Sequence, residues 1–152
     1  MRTALSLCAA LLFSACSLVD SPSSDTVTIA GVTVESIPDV RPNGEDWDPS
    51  SGPDVYVELQ DALGRVYLAA AASDAASFPA RTDAPTVQLS DLEREYFVYA
   101  VERDEDQPSG SWPWIGATPS FSFDDVADER PTTLRLSEEG SDFCVILSLV
   151  WE

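Results

Sequence analysis

From Thr26 onward the chain is patterned in short runs of apolar residues at alternating positions, with turn-forming residues between them. Thr26 to Ile37 is rich in Val, Thr and Ile, and Gly31 interrupts it where a bulge would fall. A long polar segment follows, from Pro38 to Pro53. Next come Val55 to Leu59, a turn at Asp61 to Gly64, and Arg65 to Ala70, which continues into an alanine run left open between strand and other structure. Thr86 to Leu89, Glu95 to Glu102, Ile115 to Phe123, Thr132 to Leu136 and Asp142 to Trp151 complete the set. Only Asp124 to Glu129 reads as a helical turn. Period-two alternation in about eight runs, separated by turns, predicts an all-β fold: an antiparallel eight-stranded Greek-key β-sandwich with little helix.

The first residues follow a different pattern. Arg2 supplies a positive charge, Leu5 to Phe13 is a short apolar run, and Phe13-Ser14-Ala15-Cys16 ends it with small residues before a cysteine. That layout is a secretory signal, too short to span a bilayer as a helix. The segment resembles the bacterial lipobox, with Phe13 where leucine is usual, and the resemblance makes Cys16 the lipidated residue. The expected organisation is a signal peptide over 1–15, a lipidated Cys16 with a flexible tether over 16–26, and a β-sandwich over 27–152. Ser17 after the cysteine points to outer-membrane sorting. No later apolar run suits a membrane span, so the lipid is the expected anchor.

Charge and cysteine usage narrow the chemistry. The formal net charge is −19, with 27 acidic residues against 8 basic ones, and there is no histidine. Such a surface repels nucleic acid, which is excluded as a partner. The acids suit calcium binding or simply a solvated, salt-tolerant surface. Cys8 leaves with the signal and Cys16 takes lipid, so Cys144, inside the run Phe143 to Leu147, is expected as an inert core thiol. Without histidine there is no histidine-based triad or histidine-ligated zinc, and the glycines are scattered rather than gathered into a phosphate loop. An enzyme is not expected.

Three segments together carry a resemblance. Asp46-Trp47-Asp48 is followed by Asp54-Val55-Tyr56-Val57. Val98 to Asp106 ends in alternating acids, and Trp114-Ile115-Gly116 follows. The last strand closes on Val150-Trp151. In this order they resemble the calcium-dependent lipid-binding (C-two) domains over roughly residues 27–152. The resemblance implies a calcium site made by two loops, with Asp48 and Asp54 from the first and Asp104 and Asp106 from the other. Asp46 and Glu102 stand in reserve, since either Glu102/Asp104 or Asp104/Asp106 could be the equivalent pair. Calcium takes six to eight oxygens at about 2.3–2.6 Å, and extracellular modules often bind it only at about 10⁻⁴–10⁻³ M. Trp112 and Trp114 flank Pro113 in the same loop. They are the candidate contacts for a membrane, a glycan or a protein partner, unless they fold back on the sandwich. The expected function is a non-catalytic, lipid-anchored binding module with a calcium-dependent loop end. The rival is a metal-independent structural or assembly lipoprotein that contacts a protein partner.

Overall fold

The structure is a computed structural model, and it describes residues 25–47, 52–73, 75, 77–103, 108 and 110–152. The signal peptide, Cys16 and most of the tether lie outside the described residues, as do Asp48, Asp104 and Asp106.

Strands form where the alternation is strongest. Among the described residues they are β1 (Val27–Ser36), β2 (Val55–Asp61), β3 (Val66–Ala72), β4 (Ala80–Arg81), β5 (Val87–Leu89), β6 (Tyr96–Glu102), β7 (Trp114–Ala117), β8 (Thr133–Ser137) and β9 (Cys144–Trp151). One sheet has the order β4-β1-β9-β8, with β5 also paired to β1; the other has the order β3-β2-β6-β7. Every pairing is antiparallel. The chain crosses between the sheets after β1, β3, β5 and β7, so neighbours in sequence are often apart in the sheet. The expected antiparallel sandwich is therefore present. The one extra strand is the two-residue β4, and β4 and β5 both pair with β1.

The inner faces meet in a single apolar core. Val27, Ile29, Val32 and Val34 of β1 face Val55, Val57 and Leu59 of β2 and Val98 and Ala100 of β6, all almost fully buried. Each such aliphatic side chain contributes about 1.5–3 kcal/mol of transfer free energy. β9 is central in its sheet, with β1 on one side and β8 on the other, and Val145, Leu147 and Leu149 are its core-facing residues. Gly31 sits where the β1–β9 register slips between Ile29 and Gly31, so the bulge falls where the glycine suggests. The slip lets both halves of the strand turn their apolar side chains inward.

Two departures from the sequence reading have local causes. The segment from Ile115 to Phe123 pairs as a strand only to Ala117. Thr118 then turns its hydroxyl to accept the Val98 N–H at 3.0 Å, and Phe121 rejoins β6 as an isolated bridge to Tyr96. The helical turn shrinks to Asp124–Val126 in 3₁₀ geometry. No helix among the described residues is long and apolar enough to cross a membrane.

Candidate functional site

The described flanks of the two acidic loops lie together: one backbone bond joins the two loops, and another closes the second loop at its base. The Arg103 N–H donates to the Asp54 carbonyl at 2.7 Å, and the Glu102 N–H donates to the Pro113 carbonyl at 2.9 Å. In the first loop, Val40 and Asp46 form an isolated bridge, and the Trp47 indole N–H donates to the Pro38 carbonyl at 2.6 Å. Trp47 is buried beneath Arg41, whose guanidinium lies 5.8 Å from its ring centroid.

The three described ligand candidates, Asp54 and the reserves Asp46 and Glu102, are placed differently from one another. Asp46 is exposed on the first loop. Asp54 is half-buried and lines a small cleft with Ala71, Ser73 and Arg103. Glu102 has the same strand parity as Val98 and Ala100, so its side chain points into the core, opposite Val55. It is fully buried, and its Oε2 lies 2.6 Å from Arg41 Nη2. A guanidinium thus occupies the side of Glu102 that a metal ion would need. Among the described residues no three acidic or cysteine side chains converge as a cation site. Asp46, Asp54 and Glu102 alone do not fit calcium's demand for six to eight oxygens. The calcium expectation rests on Asp48, Asp104 and Asp106.

The tryptophans take up a surface that motif reading did not assemble. The outer face of the second sheet carries two straight rows of side chains. One row runs Ala71–Tyr56–Val101–Trp114, and the other runs Ala69–Glu58–Tyr99–Ala117. Trp114 is 49 % exposed and stacks on Tyr99, with centroids 6.0 Å apart and planes 4° apart. Trp112 meets Tyr56 edge-on at 5.8 Å. The Arg103 guanidinium lies over both of these rings, 5.4 Å from Tyr56 and 5.5 Å from Trp112. Both tryptophans therefore pack on the tyrosines of the outer face of the sheet.

Between these rings is an open cleft of about 470 Å³, lined by Tyr56, Glu58, Tyr99, Val101, Gly110 and Trp112. Its polar group is Glu58, whose Oε2 accepts from the Tyr99 hydroxyl and from Gln60 Nε2, each at 2.7 Å. Burial, and then the bond to Glu58, pushes the Tyr99 hydroxyl up to about 12. The same two causes raise Tyr56. Both phenols stay protonated near neutrality, and Tyr99 spends its proton on Glu58. A second hollow of about 360 Å³ lies beside Trp114, lined by Arg41, Pro42, Asn43 and Pro113. The alternation of β2 and β6 carries the signal for this face, but the register that makes Tyr56, Glu58, Tyr99 and Trp114 neighbours is set by pairings distant in sequence.

Cys144 is buried, and its thiol donates to Glu35 Oε2 at 2.8 Å. Burial, then that bond, pushes the thiol up to about 11, so it is held as the unreactive neutral form.

No family model matches this chain, and no curated protein matches it. Among solved structures it is similar to the paired C-two domains, A and B, of extended synaptotagmin 2, at 10 % identity and a TM-score of 0.48. That match covers 99 % of this chain, and the chain spans about half of the solved one, 48 % of its length. The likeness carries no argument about activity. The antiparallel sandwich stands on the chain's own strand pairing.

Proposed function

We propose that this chain is a non-catalytic binding module of the cell envelope, tethered through a lipid on Cys16, that engages its ligand with the outer face around Trp112 and Trp114. The observation that carries this reading is the exposed aromatic surface. Four rings, Tyr56, Tyr99, Trp112 and Trp114, pair with one another on the solvent side of a sheet whose other side already fills the core. Rings held in pairs present large apolar area at little cost in side-chain entropy, as binding surfaces require. A tether of flexible residues after Cys16 would let that face reach ligands beside the membrane. Replacing Trp112 and Trp114 with alanine should abolish association with envelope material while leaving the fold intact.

A second feature favours calcium control of the same end. The bond from Arg103 to Asp54 joins the end of the first acidic loop to the start of the second, and Asp104 is next in sequence to Arg103. Melting of the full chain in chelator, then in millimolar calcium, with magnesium as the charge-screening control, separates the two versions. A calcium-selective rise in melting temperature follows from linkage if the loops bind the ion. Equal melting in calcium and magnesium makes the module metal-independent and its acids a solubility feature, as in the rival reading of a lipoprotein that contacts a protein partner.

A further inference from the structure

We propose that the cleft between Tyr56, Tyr99 and Trp112 binds a neutral glycan, with the C–H face of a sugar ring against the aromatic rings and its hydroxyls toward Glu58. The proposal rests on the reading that this face is the binding surface, and it names the class of ligand.

Size comes first. About 470 Å³ falls in the range of small-ligand sites, roughly 300–1,000 Å³. The cleft is bordered on β3 by the outer positions Ala69 and Ala71, which are the cross-strand neighbours of Glu58 and Tyr56. At those two positions the side chains are only methyl groups, which leaves room for a further ring of a longer oligosaccharide beside Glu58 and Tyr56.

Hydrogen-bonding capacity comes second. A sugar presents hydroxyls that both donate and accept. A carboxylate has about four lone-pair positions; Tyr99 and Gln60 each take one at Glu58 Oε2, and Tyr56 is bonded to the same carboxylate. Glu58 is left with acceptor capacity facing the cleft. The Tyr99 hydroxyl already donates to Glu58, so the phenol oxygens are offered as acceptors, and the donors come from the Arg103 guanidinium over Tyr56 and Trp112.

Charge decides between ligand classes. Rings around a carboxylate could also suit an organic cation. Here Arg103 already lies over Tyr56 and Trp112, in the position that a ligand cation would take, and it would repel one. An anion would meet Glu58 inside the cleft and a chain of net charge −19 around it. A neutral polyhydroxylated ring meets neither cost, and the Arg103 guanidinium can donate to it.

The test titrates the full chain, kept in a polyoxyethylene detergent that contains no sugar, with neutral hexasaccharides of glucose, mannose and N-acetylglucosamine. Tryptophan emission is the readout. Choline and inorganic phosphate serve as charged comparators. At least one hexasaccharide should give a saturable change that persists at high salt, as expected for an uncharged ligand. Glu58→Gln should weaken that binding tenfold or more at unchanged melting temperature, and Tyr56→Ala should abolish it. If Tyr56→Ala does not fold, Glu58→Gln, which keeps the side chain's size, still decides. Silence across the hexasaccharides, binding of choline or phosphate in their place, or binding indifferent to Glu58→Gln would overturn the proposal. Envelope association that still depends on Trp112 and Trp114 while the hexasaccharides are silent would sink the glycan assignment alone; loss of both would sink the binding-face reading with it.

Discussion

At the scale of single residues, polar groups on strands are controlled by parity and by their partners. Asp61 ends β2 on the inward parity, yet it is tolerated because five donors converge on it. The Leu63 and Arg65 backbone N–H groups donate to Oδ1 at 2.9 and 3.0 Å. Arg65 Nε, the Tyr67 hydroxyl and Arg94 Nη1 donate to Oδ2 at 2.8, 3.0 and 2.9 Å. Gly64, at φ 75°, closes the turn in the left-handed region that lets the chain reverse around this carboxylate. Burial opposes its charge, but the bonds from Arg65, Tyr67 and Leu63 prevail and hold the carboxyl below its ordinary value. A depressed folded-state pKa gives stability that is present above the unfolded value, about 4, and is lost as pH falls through the depressed one. Asp61→Asn should lower the melting temperature at neutral pH by several degrees and flatten the acid limb of the stability profile. Melting measured between neutral pH and strong acid checks both.

Gly116 shows a residue-scale constraint of another kind. A Cβ there would lie 2.6 Å from Phe143 Cβ and 2.7 Å from its Cγ. Phe143 is fully buried and approaches at the base of its side chain, so it cannot swing away. Gly116→Ala should cost about 1–3 kcal/mol by overpacking, read by denaturant unfolding, with no change in strand content.

At the scale of elements, the inner face of β6 ends in a charge, and the first loop is folded to meet it. Glu102 is buried opposite Val55, and Arg41 reaches in from between β1 and β2 to neutralise it. This pair fixes the loop to the end of the sheet and covers Trp47 at the same time. Removing one partner of a buried pair leaves an uncompensated charge, at about 3–5 kcal/mol. Arg41→Met should destabilise by that order, and adding Glu102→Gln to it should recover most of the loss. A double-mutant cycle by chemical unfolding measures the coupling.

The strands that were legible in the sequence are those whose alternation is strong. β1, β2, β6, β8 and β9 lie within about a residue or two of the runs that predict them, and so do β3 and β5, whose runs alternate less clearly. The two-residue β4 carries no periodicity, since Ala80 and Arg81 pair with β1 only because the chain is brought alongside it. The segment after Ala117 keeps strand-like composition but leaves the ladder because Thr118, Phe121 and Phe123 are each drawn to other partners: Val98, Tyr96 and the aromatic cluster around Tyr96. At the site, the role of Glu102 could be read from parity alone, because it follows Val98 and Ala100 at spacing two. Its partner could not, because Arg41 lies in a loop without periodic pattern. The aromatic cleft was equally hidden. Trp112 and Trp114 stood out as residues, but their neighbours Tyr56, Glu58 and Tyr99 come from strands joined by long-range register.

At the scale of the whole molecule, the sandwich separates two jobs. One apolar core holds both sheets together, and the outer face of the second sheet is left free to present its aromatic side chains. A net charge of −19 repels polyanions at long range, so on the proposed reading contact depends on short-range stacking and hydrogen bonds more than on charge. The most direct test of that account is co-sedimentation of the full chain with isolated envelope material, using Cys16→Ser throughout so that a lipid anchor cannot carry the protein down. The account predicts that this chain pellets with the envelope at high salt, and that Trp112→Ala with Trp114→Ala reduces the pelleted fraction at least tenfold at unchanged melting temperature. Failure to pellet, or equal pelleting by the tryptophan variant, would contradict it.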